Sequence, residues 1–135
     1  MIRSKYIRLI LGLLLIMSVG VGVSAQIPGR WVYLGQANVD GRVDRDKIYV
    51  GRGRGRFQRV QIRVERAPIE FYRVVLHYAN GRSEEVNVRQ RISAGGQTRA
   101  IDLRGDDRAI DNVEFFYAKG RWGNGRSPRV RLYGV

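Results

Sequence analysis

From Phe57 to Glu65 the side chains alternate. Val60, Ile62 and Val64 fall on one side, and Arg59, Gln61, Arg63 and Glu65 on the other. A period of two places successive residues on opposite faces of an extended chain, so this stretch reads as a half-buried strand. The same signature recurs. Arg30 to Gly35 is a short aromatic strand, and Asp46 to Val50 places Ile48 and Val50 on one face. Ile69 to Tyr78 is rich in β-branched and aromatic residues, with Val74, Leu76 and Tyr78 sharing a face and His77 opposite. Asn80-Gly81 predicts a type I′ hairpin turn into Ser83 to Arg91, where Val86 and Val88 pair on one face. Arg129 to Gly134 is the last strand, with Val130 and Leu132 together. Nowhere do apolar residues recur at helical spacing over the length a helix needs. The expected fold is all-β, a two-sheet antiparallel sandwich of about eight short strands, of jelly-roll or Greek-key type. The first and last strands have similar composition and are expected side by side.

One stretch carries an internal duplication. Arg99-Ala100-Ile101-Asp102 recurs as Arg108-Ala109-Ile110-Asp111, with Arg104-Gly105-Asp106-Asp107 between. After the second copy Val113, Phe115 and Tyr117 alternate onto one face. We read Thr98 to Tyr117 as a β-hairpin turning at Gly105-Asp106. Ile101 would then oppose Ile110, Arg108 would lie diagonal to Asp102, and Arg99 would reach Asp111. Such cross-strand pairs pin a hairpin. A scaffold role for these four charges is the simpler reading, with an anion or sugar site beside the turn as the alternative.

The N-terminus reads as an export signal. Arg3, Lys5 and Arg8 form a positive segment, an apolar stretch runs from Leu9 to about Val23, and Val23-Ser24-Ala25 supplies small residues before Gln26. Residues 1–25 are expected to be a signal-peptide helix cleaved after Ala25, and residues 26–135 a single domain, periplasmic or secreted. The absence of cysteine excludes disulfides, Cys-ligated metals and a thiol nucleophile.

The charge restricts partners. Lys and Arg number 25 against 12 Asp and Glu, a net +13. Nearly all of the basicity is arginine, whose planar fork suits carboxylate, phosphate or sulfate. Acidic polysaccharide, lipopolysaccharide and extracellular DNA are the expected partner classes, and a dedicated intracellular nucleic acid is not expected of an exported chain. The arginines without acidic neighbours lie in two glycine-rich loops. Arg52, Arg54 and Arg56 alternate with Gly51, Gly53 and Gly55, and Arg121 and Arg126 flank Trp122 in the segment from Lys119 to Pro128. These six, Trp122 for stacking and the five arginines for charge, are the candidate binding residues. The bland alternative is a solvated loop, with Trp122 covering one end of the sandwich.

Other chemistry is weakly signalled. Asp40, Asp44 and Asp46 have a spacing seen in calcium loops, but Arg42, Arg45 and Lys47 interleave with them and Ca²⁺ needs about six oxygens or more. No metal or cofactor is expected. His77, the single histidine, reads as a lone exposed strand residue. No serine lies in a nucleophile-elbow context, and no catalytic constellation is visible. We expect a non-catalytic binding module. A structural or protein-interaction module of the envelope is the alternative, and a glycan-acting enzyme ranks last.

Trp31-x-x-Leu34-Gly35, Asp44-x-Asp46-x-Ile48, and the run Arg99-x-Ile101-Asp102-Leu103-x-Gly105-x-x-Arg108-x-Ile110-x-x-Val113-x-Phe115-x-Tyr117 together carry a resemblance. With the export signal, they resemble a family of small exported bacterial proteins known only as a domain of unknown function. The resemblance covers nearly all of the mature chain. It implies a periplasmic or secreted β-sandwich with no assigned activity, and it transfers no catalytic residues.

Overall fold

The computed structural model describes residues 29–39, 44–105, 107–118 and 126–135. The expectations for the export segment and its cleavage, and for Asp40, Asp106, Arg121 and Trp122, lie outside the described residues. Two antiparallel sheets pack face to face. The first contains β1 (Val32–Asn38), β9 (Arg129–Gly134), β3 (Arg59–Glu65) and β7 (Ile101–Asp102), hydrogen-bonded in that order. The second contains β2 (Arg45–Tyr49), β8 (Ile110–Tyr117) and β4 (Ile69–Tyr78), with β5 (Ser83–Val86) and β6 (Gln90–Ile92) both paired to the far edge of β4.

Alternation built this core. Val60, Ile62 and Val64 of β3 and Val130 and Leu132 of β9 point inward, each at most 1% exposed. From the other sheet come Ile48, Phe71, Val74, Leu76, Val113, Phe115 and Tyr117, all 2% exposed or less. Phe71, Phe115 and Tyr117 pack ring to ring, with centroids 6.0 Å and 5.8 Å apart. Burying one such side chain stabilises the fold by about 1.5–3 kcal/mol, so the two inner faces supply most of the driving force. The first and last strands do lie side by side, Tyr33 opposite Tyr133 and Asn38 opposite Arg129.

The stretch from Ser83 to Arg91 is two strands, not one. Val74 pairs with Val86 and Phe71 with Gln90, so three steps along β4 face four along its partner. The extra residue interrupts the ladder. The Asn80-Gly81 turn exists but is not type I′. Gly81 has φ 87, whereas the single non-glycine residue with positive φ among those described is Arg66. Tyr78 N–H donates to Arg82 O at 2.8 Å and Gly81 N–H to Tyr78 O at 3.0 Å. This is a three-residue loop with glycine in the left-handed position.

The larger correction concerns the duplication. Its two copies do not form a hairpin. The first copy runs along β3, with Arg59 opposite Asp102 and Val60 opposite Ile101. Thr98 holds it there: its N–H donates to Ile62 O at 2.8 Å, and its Oγ1 accepts from Ile62 N–H at 3.1 Å. The second copy opens β8 in the opposite sheet, with Ile110 opposite Tyr78. The segment crosses from one sheet to the other instead of folding back on itself. Ile101 and Ile110 enter the same core from opposite sides, at 1% and 0% exposure. The expected Arg108–Asp102 and Arg99–Asp111 ion pairs are therefore not formed among the described residues. Asp102 and Arg99 are exposed, and Asp111 accepts a hydrogen bond from Asn112 Nδ2 at 2.8 Å.

Candidate anion-binding site

The Gly/Arg loop from Gly51 to Arg56 joins the two sheets at one end of the sandwich. Arg52–Arg54 form a single 3-10 turn between Gly51 (φ 85) and Gly55 (φ 110). Both angles are open to glycine and strained for other residues, so the two glycines let the loop double back. Its arginines then reach different neighbours. Arg52 Nη2 donates to Ala79 O at 3.1 Å in the β4–β5 turn. Arg54 Nη2 donates to Tyr33 O at 2.7 Å on the edge strand β1. Arg56 Nη2 donates to Asp107 O at 3.1 Å in the sheet-to-sheet crossing. All three side chains are exposed, and each uses one of its five N–H donors in the bond named here.

Between these attachments lies a cleft of about 330 Å³. Arg52, Arg56, Arg108, Tyr78, Ala79, Asn80, Asp107 and Ala109 line it. Arg108 is the residue that sequence reasoning assigned elsewhere. Its guanidinium lies over the Tyr78 ring, 4.5 Å from the centroid, and its Nε is buried without a hydrogen-bond partner among the described residues. The backbone of Arg108 is clamped to Phe57, N–H to O in both directions at 2.9 Å and 2.8 Å. That double bond to the residue following the loop brings Arg108 and Arg56 to the same wall.

Tyr78 orders the floor. Its hydroxyl donates to Glu84 Oε2 at 2.5 Å. Burial raises the Tyr78 pKa well above the usual tyrosine value, the hydrogen bond and negative charge of Glu84 raise it further, and Arg108 opposes both. The phenol is a fixed donor at neutral pH. Glu84 also accepts from Arg104 N–H at 3.0 Å and lies 3.6 Å from Arg104 Nε. Its charge is engaged behind the tyrosine. Among the described residues, three guanidinium groups thus line the cleft against one carboxylate, Asp107. A field of that sign in a concave, partly desolvated site favours an anion.

Of the second Gly/Arg segment, Arg126 to Pro128 are described, and Arg126 does not join this site. Tyr49 pairs with Asn112 and Arg45 with Phe116, so the 51–56 loop sits at the Ile110 end of β8, and Ala118 leaves from the other end. Arg126 precedes Arg129, which pairs with Glu65, the end of β3 remote from Arg59. Arg126 therefore lies at the opposite end of the sandwich from Arg52, Arg54 and Arg56. Composition carried the charge signal but no information about which end of the sandwich Arg126 and the 51–56 loop occupy.

His77 is not alone. Its Nε2 lies 3.4 Å from Glu114 Oε1, and Arg45 Nε lies 3.8 Å from Glu114 Oε2. The β4–β8 and β2–β8 registers create this triad on the outer face of the second sheet. Asp46 accepts from the buried Tyr117 hydroxyl at 2.8 Å. Among the described residues no group of three or more His, Cys, Asp or Glu could hold a metal ion.

No curated protein matches this sequence. Among solved structures, AlgX of Pseudomonas aeruginosa, the subject of a structural and functional characterization, is similar, with a TM-score of 0.49 and 15% identity. That similarity covers 78% of this chain and 27% of AlgX, so the chain spans about a quarter of that protein's length. A family model described as a domain of unknown function (DUF2541) matches residues 9–134, and the chain belongs to that family.

Proposed function

We propose that the protein is an exported, non-catalytic module that binds an anionic group of an acidic envelope or extracellular polymer. One observation carries this reading: Arg52, Arg56 and Arg108, from distant parts of the sequence, converge on a single cleft. The N-terminal export pattern supports a ligand outside the cytoplasm. That Asp107 is the single lining carboxylate among the described residues supports binding over acid–base chemistry, which commonly needs a pair of titrating groups. Binding to heparin or an acidic polysaccharide should weaken as salt rises, because screening acts on exposed charges. Replacing Arg52, Arg54 and Arg56 together by Ser should weaken it further. Unchanged affinity in that triple variant and in Arg108→Ser removes the cleft from the reading.

A second reading has its own observation. Each of Arg52, Arg54 and Arg56 is bonded to a backbone carbonyl. A structural or protein-interaction module would need no more from them than those attachments. In that case the triple variant lowers the unfolding temperature, no acidic polymer binds the wild type, and crosslinking finds a protein partner.

A further inference from the structure

The outer face of the first sheet is ordered in rows across its strands. Tyr33, Tyr133 and Gln61 stand side by side in the first row. Gln36, Arg131, Arg63 and Gln97 form the second, and Asn38, Arg129 and Glu65 the third. The intervening residues, among them Leu34, Val130, Leu132, Ile62 and Val64, are buried in the core, so these rows face outward. The side chains are not splayed into solvent. Arg63 lies over the Tyr133 ring, its Cζ 3.9 Å from the centroid, and its Nε donates to Gln61 Oε1 at 3.2 Å. The Tyr33 and Tyr133 rings meet edge to face at 5.7 Å, and Arg131 Cζ is 5.9 Å from the Tyr33 centroid. Arg131 Nη1 pairs with Glu65 Oε1 at 3.2 Å, and Arg129 Nε donates to Asn38 Oδ1 at 3.2 Å. The result is a platform of preordered guanidinium, phenol and amide groups. Preorder matters because a ligand then need not freeze these long side chains itself.

We infer that a linear acidic polysaccharide lies along this platform, continuing from the arginine cleft. The inference rests on the anion-binding reading and adds the form and chemistry of the ligand. Four features favour this occupant. Arg63, Arg129 and Arg131 face one carboxylate, Glu65, within the rows, so the platform complements a negatively charged chain. The arginines are interspersed with exposed amides, Gln36, Gln97 and Asn38, which offer the paired donor and acceptor that sugar hydroxyls need. Glu65 between Arg129 and Arg131 disfavours a polymer with a charge at every backbone link, and suits one whose carboxylates are separated by hydroxyl-bearing carbons. Tyr33, 42% exposed, offers an apolar ring surface for a sugar face. The platform adjoins the loop that brings Arg52 and Arg56 to the cleft. Arg54, from the cleft's own loop, is bonded to the carbonyl of Tyr33 in the first row. Rows two residues apart repeat at about 6.7 Å along β9, so a polymer can be read at regular intervals.

The test uses the folded protein with galacturonic acid, size-graded polygalacturonate oligomers and a single-stranded DNA of matching charge. Affinity should rise at least about tenfold from the monosaccharide to the longer oligomers. Tyr33→Ala and Arg131→Gln should each lose much of that gain. Gln36→Ala, on the same face but outside the ring stack, repeats the measurement where either variant fails to fold. Affinity independent of length overturns the platform, as does an unaltered length dependence in the folded platform variants. If Arg52→Ser/Arg56→Ser still loses binding in that case, the cleft reading stands without the platform. Tighter binding of the DNA overturns the polysaccharide assignment, and no binding of any probe overturns both readings.

Discussion

The two Arg-Ala-Ile-Asp copies are one tetrapeptide in two environments. In the first, Ile101 fills the core from β7, a two-residue strand at the sheet edge, while Arg99 and Asp102 stand in solvent. In the second, Ile110 opens the eight-residue β8, paired on both sides by β2 and β4, and Arg108 is drawn over Tyr78 at the cleft. The apolar residue does the same job twice because both copies are extended and both sheets face one core. The charged residues diverge because the sheet neighbours differ. A side chain's polarity decides which way it faces, whereas its partners are decided by the strand beside it.

This difference can be broken or sharpened by experiment. The largest effect is expected at the isoleucines. Ile110→Ala should cost about 3–4 kcal/mol and Ile101→Ala about 2–3 kcal/mol in urea unfolding, because a short edge strand relaxes around a cavity more easily than a central one. Equal costs would mean that the edge copy is as tightly held as the central one. Next comes Tyr78→Phe, which removes a hydrogen bond to a charged partner and should cost about 1.5–3 kcal/mol at neutral pH. The folded state holds the Tyr78 proton more tightly than the unfolded chain does. Wild-type stability from this group is complete below about pH 10 and falls as pH rises beyond it. Unfolding measured from pH 7 to 11 should therefore show a shallower alkaline loss in Tyr78→Phe than in wild type. A parallel loss in both proteins would place the alkaline sensitivity elsewhere.

Arginine replacement separates the copies functionally. Arg108→Ser should cost about 1 kcal/mol through the lost stacking on Tyr78 and should weaken polyanion binding. Arg99→Ser should do neither beyond about 0.5 kcal/mol. Weakening by both variants to the same degree would show that ligand contact extends to the first copy. The smallest effects belong to the aspartates. Asp102→Asn and Asp111→Asn should each stay within about 0.5 kcal/mol, and the double variant should be additive. Coupling of Asp102→Asn with Arg108→Ser, or of Asp111→Asn with Arg99→Ser, would restore the cross-strand ion pairs that a hairpin would have made.

Much of the fold was legible beforehand. Ile69 to Tyr78 matches β4 from end to end, and the inward set Val60, Ile62 and Val64 is buried as its alternation required. The pairing of Thr98 to Tyr117 was not legible. A glycine-containing turn between two extended segments is compatible with a hairpin and with a crossing between sheets, and nothing local distinguishes them. Hydrogen bonds from Thr98 to Ile62 and from Leu103 to Gln58 selected the crossing. The candidate site divided in the same way. Arg52 and Arg56 stood out by composition, while Arg108 and Tyr78 reached them only through the pairing of β8 with β4 and of Arg108 with Phe57.

By itself, then, the sequence determined the all-β class, the identity of most core residues and the excess of arginine. Those depend on period and composition, which are local or summed properties. Tertiary structure decided which strands are neighbours, which end of the sandwich each loop occupies and which arginines share a cleft. Those depend on register between segments far apart in the chain, and backbone hydrogen bonds that set register look alike whatever residues supply them.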